Sequence, residues 1–189
     1  MEISNGHSSS KTHQVEAMFD DIARHYDFLN HFLSLGTDRL WRRRAINIIG
    51  RNISPKQILD VATGTGDLAI AALRLKPEKI TGIDISGKML ELGREKISDR
   101  GLDDKIELLQ ADSEAIPFGD GSFDAATCAF GVRNFSSPLK GLTEICRVLK
   151  PGGMIMVLEF SKPSYFPLKQ LYFFYFRRIL PLMGRIISG

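Results

Sequence analysis

The stretch "ILDVATGTGDLAIAAL", residues 58–73, decides the fold. A short apolar run reaches Asp60, small residues follow, and apolar residues then recur at helical intervals. The pattern is a strand, a tight turn and a helix. Gly64 and Gly66 let the backbone turn sharply and let a ligand approach closely. The backbone N–H groups that open the helix attract a carboxylate or a phosphate.

Outward from this unit the alternation continues. Strands are predicted over about 57–61, 79–84, 105–110, 123–129 and 153–160, with helices over about 66–75, 86–98 and 137–149. Strands separated by helices of this length need crossover connections, and hence a parallel sheet covered on both faces. The expected fold is α/β, a doubly wound, Rossmann-like, mostly parallel sheet. Upstream, Val15, Met18, Phe19, Ile22, Tyr26 and Leu29 fall at intervals of three and four and predict an amphipathic helix over 13–31. A second helix is predicted from a cap at Thr37 or Asp38 through "RLWRRRAINII" to Gly50.

Composition excludes several classes. The chain of 189 residues is 43% hydrophobic and 25% charged, as expected of one globular domain, and only "MEISNGHSSSKT" reads as a disordered tail. That tail lacks the apolar run of a secretory peptide, so a cytoplasmic location is expected. Cys128 and Cys146 have no pairing framework and no metal spacing, and are expected to be buried, reduced thiols. A net charge of +3 does not imply nucleic acid, and "RLWRRR" at 39–44 reads as a solvated helix face. No metal site is expected.

In a doubly wound sheet the ligand crevice lies beyond the carboxyl ends of the strands, so those ends carry the function. Asp84 closes "ITGID" twenty residues after Gly64, the spacing at which an acid reaches both hydroxyls of a ribose. Its other reading is a cap for the next helix, a post that Ser86 can also fill. At the third end, Asp112 and Ser113 can offer a carboxylate and an N–H to the edge of an adenine. At the fourth, "FDAATCAFGVRNF" runs into a loop facing the same crevice, and "RVLKPGG" introduces the fifth strand. "GTGDLA" also fits a dinucleotide fingerprint, so a nicotinamide-dependent dehydrogenase is one alternative. A non-catalytic adenosyl-binding scaffold is another.

Taken in order, "DVATGTGD", "IDIS", "QADSEAIPFGDGSFD", "FGVRNF" and "RVLKPGG" resemble the S-adenosylmethionine-dependent class I methyltransferases. More narrowly, they look like the C-methyltransferases of menaquinone and ubiquinone biosynthesis. The N-terminal "MFDDIARHYDFLNHFLSLGTDRLWRR", "LEFSKP" and "LPLMGRIISG" share the likeness, which spans residues 15–189. It implies S-adenosyl-L-methionine as cofactor, with Thr63, Gly64 and Gly66 near its amino-acid end, Asp84 and Ile85 at the ribose, and Asp112 and Ser113 at the adenine. The implied substrate is a prenylated quinol, methylated on a ring carbon, with demethylmenaquinol favoured on general likeness.

Arg133 and Asn134 are expected either to orient the quinol oxygen or to serve locally, Arg133 in an ion pair and Asn134 in a turn. The resemblance also divides the chain into a tail 1–12, an N-terminal helical lid 13–50 carrying His25, Tyr26 and Asp27, a cofactor-binding core 51–161, and an aromatic segment 162–189. Lys169, Arg177 and Arg178 break that last segment, leaving no run of the ~18 apolar residues that a membrane span needs. It reads either as an amphipathic helix packed on its own core or on a second subunit in a homodimer, or as a peripheral membrane contact admitting a polyprenyl tail. The family's sheet has seven strands ending in a hairpin. No hairpin candidate follows residue 161, so the sequence is expected to be a truncated member.

Overall fold

The computed structural model describes residue 11, residues 13–23, residue 34 and residues 36–159. The chain divides after Glu159, and all described residues belong to the first unit. The expectations for residues 1–10, for His25, Tyr26 and Asp27, and for the aromatic segment 162–189 lie outside the described residues.

The order of elements is α1 (13–23), α2 (Thr37–Asn52), β1 (Gln57–Val61), α3 (Asp67–Ala72) with a 3-10 turn, β2 (Lys79–Asp84), α4 (Gly87–Ser98), β3 (Ile106–Gln110), β4 (Phe123–Ala129), α5 (Pro138–Val148) and β5 (Leu149–Leu158). The five described strands form one sheet in the order β3-β2-β1-β4-β5, and every pairing is parallel. Strand order reverses between β1 and β4, which places the switch point at the end of the strand that carries Asp60.

Alternation along each strand builds two apolar layers. Ile58, Ile80, Ile106 and Leu108 turn to the face covered by α2, α3 and α4, where Ile46, Ile49, Leu68, Ala69, Leu90 and Ile97 meet them. Leu59, Val61, Ile83, Ala126 and Cys128 turn to the opposite face, against Ile145 and Val148 of α5. Ile58, Ile80, Ile83 and Ile49 are fully buried, each contributing on the order of 2 kcal/mol.

Several expectations need correcting. α2 is preceded by Gly36 in a left-handed conformation, so neither Thr37 nor Asp38 caps it, and it runs past Gly50 to Asn52. Thr37 Oγ1 instead donates to the Ser34 carbonyl at 2.6 Å. "RLWRRR" is not wholly solvated, because Arg42 turns inward to Asp38 and Asp67. Cys146 is exposed, since α5 turns Gly141, Ile145 and Val148 to the core and leaves residue 146 outside. β5 begins at Leu149, not 153: the register jumps from Phe123↔Leu149 to Ala125↔Met154, so "KPGG" forms an irregularity inside the strand.

Candidate active site

Four strand ends and α1 line a crevice of about 660 Å³, open to solvent. Of the residues singled out in the sequence, Gly64, Asp84, Ile85, Asp112, Ser113 and Asn134 line it. Val15 and Phe19 of α1 also line it, as do Ile85 and Met89. α1 is held there by Asp20, whose Oδ1 accepts from Ser86 Oγ at 2.6 Å, and by Lys11 Nζ, which donates to the Phe135 carbonyl at 2.5 Å.

The competition for the cap of α4 is resolved by distance. Ser86 Oγ accepts the Met89 N–H at 3.2 Å and so caps the helix. Asp84 is left to face the crevice, with Oδ1 accepting from Ser86 N at 2.9 Å and Oδ2 from Gly64 N at 2.8 Å. Burial raises the Asp84 carboxyl above its ordinary value, against the lowering effect of the backbone donors of Ser86 and Gly64. The Gly64 N–H, expected to meet a ligand, is therefore taken by a protein carboxylate.

Asp112 and Ser113 sit on a loop that long-range polar contacts clamp to α5. The Glu114 N–H donates to Asp112 Oδ1 at 2.8 Å, and buried Glu114 accepts the Ser137 N–H at 2.6 Å. Glu144 accepts the Ile116 N–H at 3.0 Å, while Arg147 donates to the carbonyls of Ile116 and Phe118. This clamp was not legible in the sequence, because the residues it joins across to α5 lie more than twenty positions apart.

Beneath the glycine turn lies a second, more polar cavity of about 420 Å³, sharing Ala62, Gly64, Ala129 and Phe130 with the first. Thr63 lines it, together with Arg42, Asp60, Thr65 and Asp67. Asp60 is 1% exposed and accepts from Thr127 Oγ1 at 2.5 Å and Thr63 Oγ1 at 2.6 Å. Burial pushes its carboxyl up to about 6, opposed by those two hydroxyls. Lys96 Nζ bonds Thr65 Oγ1 at 2.8 Å and Asp67 at 3.0 Å, tying α4 to the turn. Gly66 lines neither cavity: at φ 81° it precedes α3 and supplies the turn's geometry.

The two strands that flank the switch point both end in left-handed backbone, Ala62 at φ 53° and Phe130 at φ 58°. Neither is glycine, so each conformation is strained, on the order of 1 kcal/mol, and both residues border both cavities. Arg133 and Asn134 separate. Asn134 lines the crevice and its Nδ2 donates to the Phe130 carbonyl at 3.3 Å. Arg133, 53% exposed, faces Glu159 at 3.4 Å and is not among the lining residues.

A model of the ubiE/COQ5 methyltransferase family matches residues 7–189. The chain belongs to that family. It is 50% identical over 179 residues to the demethylmenaquinone methyltransferase of Bacteroides fragilis, covering 94% of this chain and 73% of that one. It is likewise 50% identical to the ubiquinone/menaquinone biosynthesis C-methyltransferase UbiE of Geobacter sp. (strain M21), covering 95% and 77%. Among solved structures, a candidate S-adenosyl-L-methionine-dependent methyltransferase from Methanococcus maripaludis superposes with a TM-score of 0.66 at 26% identity, over 84% of this chain and 72% of that one.

As a member of the ubiE/COQ5 family the chain is a methyltransferase, and the dehydrogenase and scaffold readings fall away. Family membership also gives the missed residues their interest. Val15 and Phe19 were legible only as an apolar stripe; what the stripe covers depends on where α1 docks. Asp20, Gln110 and Asp60 lie within the quoted stretches, but no local pattern assigned them a role. Gln110 Nε2 donates to the Ile85 carbonyl at 2.8 Å and braces the loop beside Asp84.

Proposed function

We propose that the crevice holds S-adenosyl-L-methionine and that the chain methylates a ring carbon of a prenylated quinol, converting demethylmenaquinol to menaquinol. The observation that carries this reading is the convergence of Gly64, Asp84 and Asp112, from three different strand ends, on one crevice walled by Ile85, Met89 and Phe19. The choice of naphthoquinol follows the names of the relatives.

The residues present fit the cofactor. Asp84 is already oriented by two backbone donors and offers its remaining lone pairs to two ribose hydroxyls. Asp112 and Ser113 would offer a carboxylate and an N–H to the edge of an adenine, and Ile85, Met89 and Phe19 would supply apolar walls for its faces. The polar cavity around Thr63, with Arg42 and acidic Asp60 and Asp67, suits a zwitterionic amino-acid end. When bound, the cofactor supplies an electrophilic methyl group on a sulfonium.

The chain's own contribution is positioning: a ring carbon must lie about 3 Å from that methyl and in line with the departing sulfur. Asn134, on the crevice wall, orients the quinol oxygen as phenolate character develops, whereas Arg133 is engaged with Glu159 outside the crevice. Val15 and Phe19 add apolar wall to the crevice.

The test is the purified enzyme with methyl-labelled cofactor and both reduced quinones. Label in the naphthoquinol product is expected. Label confined to the benzoquinol overturns the substrate, and label in neither overturns the reaction.

A further inference from the structure

The outer face of α2 mixes apolar and basic side chains. Asp38, Arg42, Ala45, Ile46 and Ile49 turn to the protein, so helical spacing places Leu40, Arg44, Ile48 and Arg51 on the other side. Leu40 is 63% exposed, Ile48 39% and neighbouring Trp41 37%. Arg39, Arg43, Arg44 and Arg51 are all exposed, and none forms an ion pair with a described residue. The helix's one acid, Asp38, is buried against Arg42, so its exposed surface carries positive charge only.

A merely solvated face needs no leucine, isoleucine and tryptophan among its arginines. A nucleic acid would engage the arginines yet leave Leu40 and Ile48 without apolar surroundings. An anionic phospholipid surface satisfies both: arginines meet headgroup phosphates, while the apolar side chains enter the boundary with the acyl chains. Position agrees. Arg42, one residue from Trp41, reaches Asp67 at 3.0 Å and lines the cavity beneath the glycine turn, which sets this end of α2 level with the crevice.

We propose that the exposed face of α2, centred on Leu40, Arg44 and Ile48, is a docking surface for an anionic phospholipid bilayer. Its purpose rests on the quinol reading, since a polyprenyl tail partitions into lipid; the surface itself is read from α2.

Trp41 is the only tryptophan in the chain, so its emission reports on this helix directly. The full chain is titrated with vesicles of phosphatidylcholine containing phosphatidylglycerol, and with phosphatidylcholine alone. A blue shift and co-sedimentation are expected with the anionic vesicles only, both weakening as salt is added. Arg44→Ser should weaken partition about 5-fold and Leu40→Ser about 10-fold. Circular dichroism and methyl transfer to a short-tailed, water-soluble quinol should be unchanged in both.

The proposal is overturned by an absent shift on anionic vesicles, by full vesicle binding in the folded Leu40→Ser/Arg44→Ser double variant, or by an equal shift with duplex DNA in place of vesicles. Vesicle binding with the expected variant losses but no methyl transfer to any quinol supports the surface while sinking the proposed reaction, so the two fail separately.

Discussion

The backbone N–H of Gly64 donates to Asp84 Oδ2 at 2.8 Å, joining the turn after β1 to the end of β2. One carboxylate thereby holds the turn and lines the crevice. Asp84→Ala should lower affinity for S-adenosyl-L-methionine at least about 10-fold, on the scale of a lost charge-assisted hydrogen bond. Calorimetry with a circular-dichroism control checks this; unchanged affinity in a folded variant contradicts the ribose assignment.

Asp60 makes stability depend on pH. Burial raises its carboxyl from 3.8 to about 6, so the folded chain holds the proton more tightly than the unfolded one. Its contribution is fully present below the unfolded value and is lost as pH rises through about 6, on the order of 3 kcal/mol. Urea unfolding of the parent between those pH values should show this fall, and Asp60→Asn should flatten it. Identical slopes for the two proteins would count against a buried, raised carboxyl.

Arg42 is the partner that makes buried Asp38 tolerable, with Asp67 as its second contact at 3.0 Å. Arg42→Met removes this guanidinium from Asp38, which is 3% exposed, and should cost about 3 kcal/mol. Asp38→Asn introduced into that variant should restore part of the loss. Arg43→Ala, on the exposed side, should stay within about 0.5 kcal/mol of the parent. Denaturant midpoints compare the four proteins, and equal losses at 42 and 43 would refute the inward role.

Ala62 holds a left-handed backbone at φ 53° at the switch point. Ala62→Gly should be neutral or stabilising by up to about 1 kcal/mol, whereas Ala62→Val should destabilise by more than 1 kcal/mol. Gly131 crowds the same spot: a Cβ there would lie 2.5 Å from the Ala62 Cβ. Gly131→Ala should therefore displace the turn and weaken cofactor binding in a thermal-shift titration. A wild-type ligand shift would show that the crowding is absorbed elsewhere.

Much of the molecule was legible in its residues. Alternating short apolar runs and helical stripes located all five described strands, and the residues ending β1, β2 and β3 marked the crevice. Ser86 was legible as a cap because capping is decided within three residues. Arg42 was not legible as an inward residue: nothing distinguishes it locally from Arg43, and the difference comes from which side of α2 meets the core. Cys146 failed for the same reason, one position off the buried stripe of α5.

By itself the amino-acid sequence determined the α/β alternation, the glycine turn and the acids at the strand ends, because periodicity and strand-end chemistry are properties of neighbouring residues. Only the tertiary structure decided the order β3-β2-β1-β4-β5, the docking of α1 through Asp20 and Ser86, and the diversion of the Gly64 N–H to Asp84. Those contacts join residues from twenty to more than sixty positions apart. Burial and register select such partners, and neither is written in any local pattern.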